Sequence, residues 1–219
     1  MTSQSDQTVA ILQDLIERGE LLPGAMLSER RLMDLTGFGR TPVREAVQRL
    51  ALSHMLRIHP GRGVEIPPVS VEDQLSRLEV RRSLEVLAVT LACERASARD
   101  IAEMRGLVAQ PEAEPQPAPS LLSYSDEVRL THGIIIRAAH NPYLEALMKP
   151  LQTLSRRFWI MNVRDEAQEI ATGRALHRQV LTTIAARDFK QARDASLALN
   201  DYLVRFALNV LAQRARIPA

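Results

Sequence analysis

The chain of 219 residues is poor in the features on which several classes of protein depend. Its single cysteine, Cys93, excludes an internal disulfide and a zinc cluster built from cysteines. No apolar run approaches the roughly 18 residues that a membrane-spanning helix needs, and the N-terminal sequence MTSQSDQTVA lacks the layout of a secretory signal. The sequence also has no glycine-rich phosphate loop and no His-x-x-x-His metal motif. We therefore expect a cytoplasmic protein with no membrane partner.

The remaining composition is that of a folded globular chain, with 46% hydrophobic and 25% charged residues. The length is enough for one or two domains. The formal net charge is only +2, but the positive charge is locally concentrated. Between residues 39 and 62 a single acid, Glu45, faces five arginines: Arg40, Arg44, Arg49, Arg57 and Arg62. Such a cluster is typical of DNA binding, because arginine neutralises phosphates and pairs with guanine edges.

Residues 28–66 have the pattern of a winged helix-turn-helix. Ser28 can cap a short helix that Gly37 ends, and Thr41 with Pro42 begins a second helix, which is the spacing of a helix-turn-helix. The second helix places four apolar residues towards a core, namely Val43, Ala46, Val47 and Leu50. Its basic first turn is then able to enter a major groove. A further helix, over about residues 8–18, precedes this pair.

A wing is predicted directly after the second helix. Residues 56–58 and 64–66 have the composition of two short strands, and the loop 59–63 that joins them carries Arg62 at its tip. A small amphipathic helical hairpin with a basic solvent-exposed face is the alternative. The succession of turn, capped helix and wing favours the winged helix-turn-helix.

Pro67 and Pro68 predict a boundary between two domains, 1–68 and 69–219, because proline gives no donor to a strand ladder. Beyond them no segment alternates with the period of a strand, and stretches rich in Leu, Ala, Arg and Glu recur. Helices are predicted over about 71–95, 97–108, 121–139, from 142 onwards, 172–187 and 188–214, with 111–120 as a proline-rich loop. Pro150 should end or kink the helix that begins at 142. The predicted fold class is mainly α: an N-terminal winged helix-turn-helix with a two-stranded wing, followed by an all-α bundle.

The N-terminal domain resembles the DNA-binding domain of the GntR superfamily of bacterial transcription regulators. The matching runs are 22–29 (LPGAMLSE), 39–47 (GRTPVREAV) and 60–63 (PGRG). The resemblance implies DNA contacts by Arg30, Arg40 and Arg44, a phosphate contact by Thr41, and a minor-groove approach by Gly61, Arg62 and Gly63. Two positions depart from the family pattern. Gly39 replaces the usual serine, which removes a phosphate contact or helix cap, and His54 replaces the usual glycine, which strains the turn before the wing.

Most of residues 72–208 resemble the FCD-type sensing domain of the FadR branch of that superfamily. The matching runs are 79–85 (EVRRSLE) and 132–144 (HGIIIRAAHNPYL), together with His177, Asp188 and Ala192. In this family one Asp and three His typically bind a divalent metal. Here two of these positions hold Val128 and Leu199, which leaves His132 and His177. Two imidazoles make a poor site for a first-row metal, so we expect neither a metal nor any other cofactor.

The two histidines predict a polar cavity inside the bundle that holds an effector. We expect Arg81, with His132 and His177, to bind a small organic acid, because a carboxylate without a metal needs another cationic partner. The second-rank candidates are Tyr124, Asn200, Arg156 and Tyr202. The alternative, which stays open, is that both histidines are core residues and that Arg81 only pairs with Glu85.

These predictions together describe a homodimeric regulator, expected to be a repressor, that reads a double-stranded DNA operator and senses a small anionic metabolite. One alternative within this class is a regulator with an acyl-CoA effector. Another is a structural DNA binder without an effector. An enzyme is not expected, because no nucleophile or carboxylate pairs with His132 or His177 at an informative spacing.

Overall fold

The computed structural model describes residues 2–109 and 120–215, and within them the protein is mainly α-helical with one small sheet. The elements are α1 (Gln4–Glu17), β1 (Met26–Leu27), α2 (Glu29–Thr36), α3 (Arg40–Leu52), β2 (Arg57–His59), β3 (Gly63–Glu65), α4 (Val71–Arg95), α5 (Ala98–Ala109), α6 (Leu121–Ala138), α7 (Pro142–Asn162), α8 (Glu166–Ala185) and α9 (Phe189–Arg214). The predicted fold class is confirmed. The loop predicted over 111–120 lies outside the described residues, except for Ser120. None of the helices in the described ranges is long and apolar enough to cross a membrane.

The chain divides into two compact units. The first contains residues 2–70 and 153–161, and the second contains the described residues of 71–152 and 162–215. The predicted domains, 1–68 and 69–219, differ from these units in assigning 153–161 to the helical domain. These residues belong to the first unit because Leu154 is part of its hydrophobic core, and because Arg156 forms two hydrogen bonds, of 2.7 and 2.9 Å, with Glu17.

Pro150 is predicted to end or kink a helix, and the first of these alternatives is wrong, because α7 continues through this residue to Asn162. A proline removes one backbone donor and crowds the preceding turn. Here buried residues hold the helix on both sides of it, with Met148 in the core of the second unit and Leu154 in the core of the first. Tertiary packing therefore outweighs the local signal.

The helix-turn-helix forms as the sequence predicts. The Ser28 hydroxyl accepts a hydrogen bond from the Arg31 N–H, and Gly37 ends α2 in the left-handed conformation with φ 73°. Helix α3 begins one residue earlier than predicted, after Gly39, which provides no side-chain cap. Its apolar face is buried in the core of the first unit through Val43, Ala46, Val47 and Leu50.

The wing has three strands in the order β1-β3-β2, so the prediction of a two-stranded wing was one strand short. Both pairings are antiparallel, and Met26 lies opposite Glu65 on one side while Arg57 lies opposite the same residue on the other. A strand of two residues is too short to show the alternation of polar and apolar residues that predicts a strand. It exists only because β3 offers it a partner.

In the second unit, α4 lies against α9 and α6, and α8 lies against α9, α5 and α6. Side chains form hydrogen bonds with the free backbone groups at several helix ends. Ser97 and Asp100 bond reciprocally at the start of α5, and these hydrogen bonds lower the pKa of Asp100. The Arg187 guanidinium donates to the carbonyls of Cys93 and Ala96 at the end of α4, each at 2.6 Å. These bonds fix the start of α5 and the end of α4, and α4 contributes residues to the cavity described below.

Candidate functional site

The first candidate surface is the N-terminal half of α3, where Arg40, Thr41 and Arg44 are exposed. Glu29, the first residue of α2, connects the two arginines. Its Oε1 atom lies 3.2 Å from Arg40 Nε and 2.9 Å from Arg44 Nε, and Arg44 Nη2 donates to Oε2 at 3.0 Å. The two arginine side chains are still 69% and 64% exposed. Glu29 therefore orients both guanidinium groups on one accessible surface.

The start of α3 is suited to an anion. The N-cap residue Gly39 makes no side-chain hydrogen bond to the first turn. Because the first N–H groups of a helix have no partner within the helix, and carry the positive end of its dipole, they attract a phosphate. Thr41 lies exposed in this turn, and Arg30 is exposed on α2. The structure thus places the predicted residues of the helix-turn-helix at the solvent surface.

The wing tip is a tight turn built on two glycines with positive φ, Gly61 at 73° and Gly63 at 115°. The Arg62 N–H donates to the His59 carbonyl across this turn, and the Arg62 side chain is exposed. Behind the tip, Glu65 accepts hydrogen bonds from His59 at 2.6 Å and Arg57 at 3.2 Å. The His59 bond and the nearby Arg57 charge lower the pKa of Glu65. Glu65 therefore compensates the basic groups behind the tip.

Replacing Arg62 with alanine is expected to weaken DNA binding about equally on any sequence and to reduce the salt slope by about one, because a phosphate contact releases roughly one counterion. The measurement is the logarithm of Kd against the logarithm of salt concentration on two unrelated duplexes. Arg57→Ala is the matched control, and its effect should be smaller because Glu65 already compensates Arg57. If the salt slope of Arg62→Ala were the same as that of the wild type, Arg62 would not contact a phosphate.

His54, just before the wing, adopts φ 60°. A residue with a Cβ atom is strained in this conformation, although His tolerates it better than branched residues do. The strained turn that the sequence predicts at His54 is therefore present.

The second candidate site is a cavity of about 20 Å³ within the helical unit. This volume has room for about one water molecule. The lining residues are Glu85, Ala88, Val89, His132, Ile135, Met148, Gln152, His177, Val180, Ser196 and Leu199. His132 from α6 and His177 from α8 meet here, with 3.4 Å between their Nε2 atoms. The structure brings the two predicted histidines together in one cavity.

The surroundings of His177 define its hydrogen-bonding state. Its Nδ1 atom lies 2.7 Å from the Gly173 carbonyl, which can only accept, so Nδ1 carries a proton. In the neutral ring Nε2 is then an acceptor that faces His132. Tyr124 approaches His177 edge-on with its hydroxyl 3.4 Å from Nδ1, and burial raises the pKa of Tyr124. A Cβ atom on Gly173 would lie 2.0 Å from the Tyr124 hydroxyl, so glycine makes room for this ring.

The residues present do not fit the metal that is typical of the resembling family. Leu199 lines the cavity together with both histidines, and Val128 is buried on α6, so two of the four family positions hold hydrocarbon side chains. Within the ranges 2–109 and 120–215, no group of three or more His, Cys, Asp and Glu residues is placed to hold a metal ion. Two imidazoles fall short of the three or four protein ligands that zinc usually takes.

We expect the purified protein to contain well below one zinc or nickel ion per chain, because the missing ligands lower the affinity for either ion. Elemental analysis after purification without chelators measures this content. The variant Val128→Asp/Leu199→His, which restores the family's ligand types, is the matched control and should gain metal. One tightly held ion per wild-type chain would contradict the expectation.

The other predicted effector residues do not line the cavity. Arg81 is 2% exposed, and both its Nε and Nη2 atoms donate to Glu85 Oε1, at 2.9 and 2.5 Å. Asn200 donates to the Leu78 carbonyl and so connects α9 to α4. Tyr202 donates to Glu169, and Arg156 pairs with Glu17 in the first unit. Whether any of these residues responds to an effector stays a prediction.

Two residues gain importance from the structure alone. Glu29 orients Arg40 and Arg44, although it stands more than ten positions before Arg40 in the sequence. Glu85 lines the cavity, whereas the sequence indicated only its pairing with Arg81. Both residues end runs that match the resembling family, 22–29 and 79–85, but their roles depend on how the helices cross, which the sequence does not show.

Comparison with known proteins identifies the family models and the relatives that this sequence matches. Residues 4–66 match the model of the bacterial regulatory proteins of the gntR family, and residues 76–201 match the model of the FCD domain. The HTH-type transcriptional regulator McbR of Escherichia coli (strain K12) is 35% identical over 99 residues, which is 44% of each chain. The uncharacterized HTH-type transcriptional regulator YdhC of Bacillus subtilis (strain 168) is 25% identical over 190 residues, covering 85% of this chain and 83% of that protein.

A solved structure of E. coli McbR/YncC superimposes with a TM-score of 0.77 at 22% identity. The superposition covers 95% of this chain and 99% of that chain, so the two share a fold. The sequence match to McbR, by contrast, spans less than half of either chain.

Proposed function

Because the chain belongs to the gntR family of bacterial regulatory proteins and carries an FCD domain, we propose that it is a cytoplasmic transcriptional repressor that binds a DNA operator as a homodimer. Helix-turn-helix modules normally pair about a two-fold axis on half-sites one helical turn apart. The single observation that carries the DNA-binding role is the surface formed by Arg40 and Arg44 on α3, oriented by Glu29. Arginines at the start of such a helix read guanine bases in the major groove.

We further propose that a small molecule bound in the helical unit changes the operator affinity. The supporting observation is a cavity beside the hydrophobic core that collects the polar residues Glu85, His132, Gln152, His177 and Ser196. Buried polar groups need partners, and a ligand is one way to provide them.

The small volume of the cavity has a consequence for the mechanism. An effector larger than a water molecule must enlarge the space between the helices that carry His132 and His177. An effector that binds this expanded arrangement better than the closed one shifts the population between them. If the two arrangements differ in operator affinity, binding of effector and DNA are coupled, typically by 5- to 150-fold, which is about 1 to 3 kcal/mol.

The proposal is tested by selecting duplexes from a random library with the wild-type protein and measuring Kd by fluorescence anisotropy with and without candidate effectors. The candidates are short organic acids, amides, amines, alcohols and acyl-CoAs. At least one should change Kd about fivefold or more. If none changes Kd, the helical unit has no sensing role, and a structural DNA binder is the better description.

A variant with a filled cavity provides the specificity control. Ala88 is fully buried and lines the cavity, so Ala88→Leu should abolish the effector response and leave the basal operator affinity unchanged. Ala102→Leu introduces the same side chain at an exposed position on α5 and should keep the response. An unchanged response in Ala88→Leu would place the effector elsewhere.

A further inference from the structure

The cavity contains a carboxylate oxygen that lacks a donor. Glu85, in the middle of α4, is 6% exposed and lines the cavity. Its Oε1 atom receives both hydrogen bonds from Arg81, whereas Oε2 has no hydrogen-bond partner within the described part of the chain. A buried carboxylate oxygen without a donor is costly, because its hydration is lost and not replaced.

The polar groups around the cavity do not supply the missing donor: His132, Gln152 and Ser196 also line it, but none of them forms a hydrogen bond with Oε2. The two Arg81 N–H groups that reach Glu85 both point to Oε1, and the Nδ1 proton of His177 is directed at the Gly173 carbonyl. The donor for Oε2 is therefore a molecule inside the cavity. A single water fits the closed volume of about 20 Å³. A ligand that enlarges the cavity must replace this water with a donor of its own.

The charges around the cavity select against an anion. Glu85 brings a carboxylate to the lining, while the compensating Arg81 guanidinium lies behind it and is not part of the lining. Besides Glu85 the lining holds four polar residues, His132, Gln152, His177 and Ser196, and apolar residues such as Ala88 and Leu199. It contains no lysine or arginine that would balance a second negative charge. This arrangement favours an effector other than the organic acid that the sequence suggests.

We propose that the molecule sensed by this cavity has a short hydrocarbon body with an N–H or O–H donor and no negative charge, and that its donor binds Glu85 Oε2. This inference rests on the proposed sensing function and specifies its ligand class. Glu85 is then the residue that decides between an amide, amine or alcohol and the corresponding acid.

The test compares probes with one hydrocarbon body: isobutyramide, isobutylamine and isobutyrate. Each is titrated at neutral pH into full-length wild-type protein with labelled histidines, and the NMR signals of His132 and His177 report occupancy. Isobutyramide and isobutylamine should each bind at least about tenfold more tightly than isobutyrate, since one unmade hydrogen bond to a buried charged group corresponds to about that factor. Equal or tighter binding of isobutyrate, or a lack of binding by all three, would overturn the inference.

Variants test whether Glu85 causes the preference for isobutyramide over isobutyrate. Glu85→Gln should reduce the ratio of isobutyrate to isobutyramide Kd to near one. Because this change leaves Arg81 buried beside a neutral partner, the double variant R81M/E85Q is measured with it, and it should lose the preference as well. Glu79→Gln, an exposed acid on the same helix, is the matched control and should keep it. A preference that persists in the double variant would exclude Glu85.

A parallel measurement of operator affinity separates this inference from the proposed function. If the probes bind in the expected order but none changes operator affinity, the sensing function fails and the ligand preference of the cavity stands. If only isobutyrate binds the cavity and changes operator affinity, sensing stands and the inference fails.

Discussion

Replacing Arg81 with methionine should destabilise the helical unit by about 3 to 5 kcal/mol, because it leaves the buried Glu85 charge without its partner. Arg81 and Glu85 are 2% and 6% exposed, and they are joined by two hydrogen bonds to one oxygen. Methionine fills similar space but cannot compensate the carboxylate. Urea unfolding followed by far-ultraviolet circular dichroism measures the loss as a lower midpoint.

Two variants control for this effect. The double variant R81M/E85Q removes both charges and should recover most of the lost stability, since neutral replacement of a buried ion pair is often tolerated. Arg82 is the next residue of α4 and forms a more exposed ion pair with Asp201 of α9. Arg82→Ala breaks this pair and should cost less than about 1 kcal/mol. If Arg81→Met cost no more than Arg82→Ala, the pair would not stabilise the unit. Arg81 would then be available for a ligand, as the sequence predicts.

Replacing Gly63 with alanine should destabilise the first unit by about 2 to 4 kcal/mol. Gly63 has φ 115°, a conformation that residues with a Cβ atom rarely adopt, and an added Cβ would lie 2.5 Å from the Leu27 carbonyl oxygen. That oxygen belongs to the β1 backbone, so relief requires the strand to move. Trp159, the only tryptophan, lies in the first unit, and its fluorescence during urea unfolding reports the change.

Gly61→Ala is the matched control in the same turn. Gly61 also has a positive φ, 73°, but an added Cβ would meet nothing within 4 Å, so the cost should be limited to about 1 kcal/mol of backbone strain. Equal losses for the two variants would show that β1 does not constrain Gly63.

The parts of the fold that the sequence predicts are those with strong local signals. Helix α4 has the predicted bounds because two prolines precede it and the Ser97 and Asp100 cap follows it. Strand β1 could not be predicted, because its two residues are extended only through pairing with β3. The continuation of α7 past Pro150 likewise depends on cores that involve distant parts of the chain.

The candidate sites show the same division. The Arg40 and Arg44 surface is predicted by one contiguous motif. The resemblance to the FCD-type domain likewise predicts that His132 and His177 share one site, and the structure places them in contact in one cavity. The pairing of Arg81 could not be predicted in the same way. Its guanidinium can reach either a ligand or Glu85, and only the packed structure shows that Glu85 holds it.

Operator binding by single arginine variants tests most directly whether α3 is the element that reads DNA. With a duplex selected by the wild-type protein, Arg40→Ala and Arg44→Ala should each lose about 1 to 3 kcal/mol of specific affinity, while binding to an unrelated duplex falls less. Arg49→Ala, which breaks an exposed pair with Asp6, is the control on the same helix and should bind nearly as the wild type does. Protection of the operator by both Arg40→Ala and Arg44→Ala at wild-type concentrations in a footprinting experiment would show that the element that reads DNA is not α3.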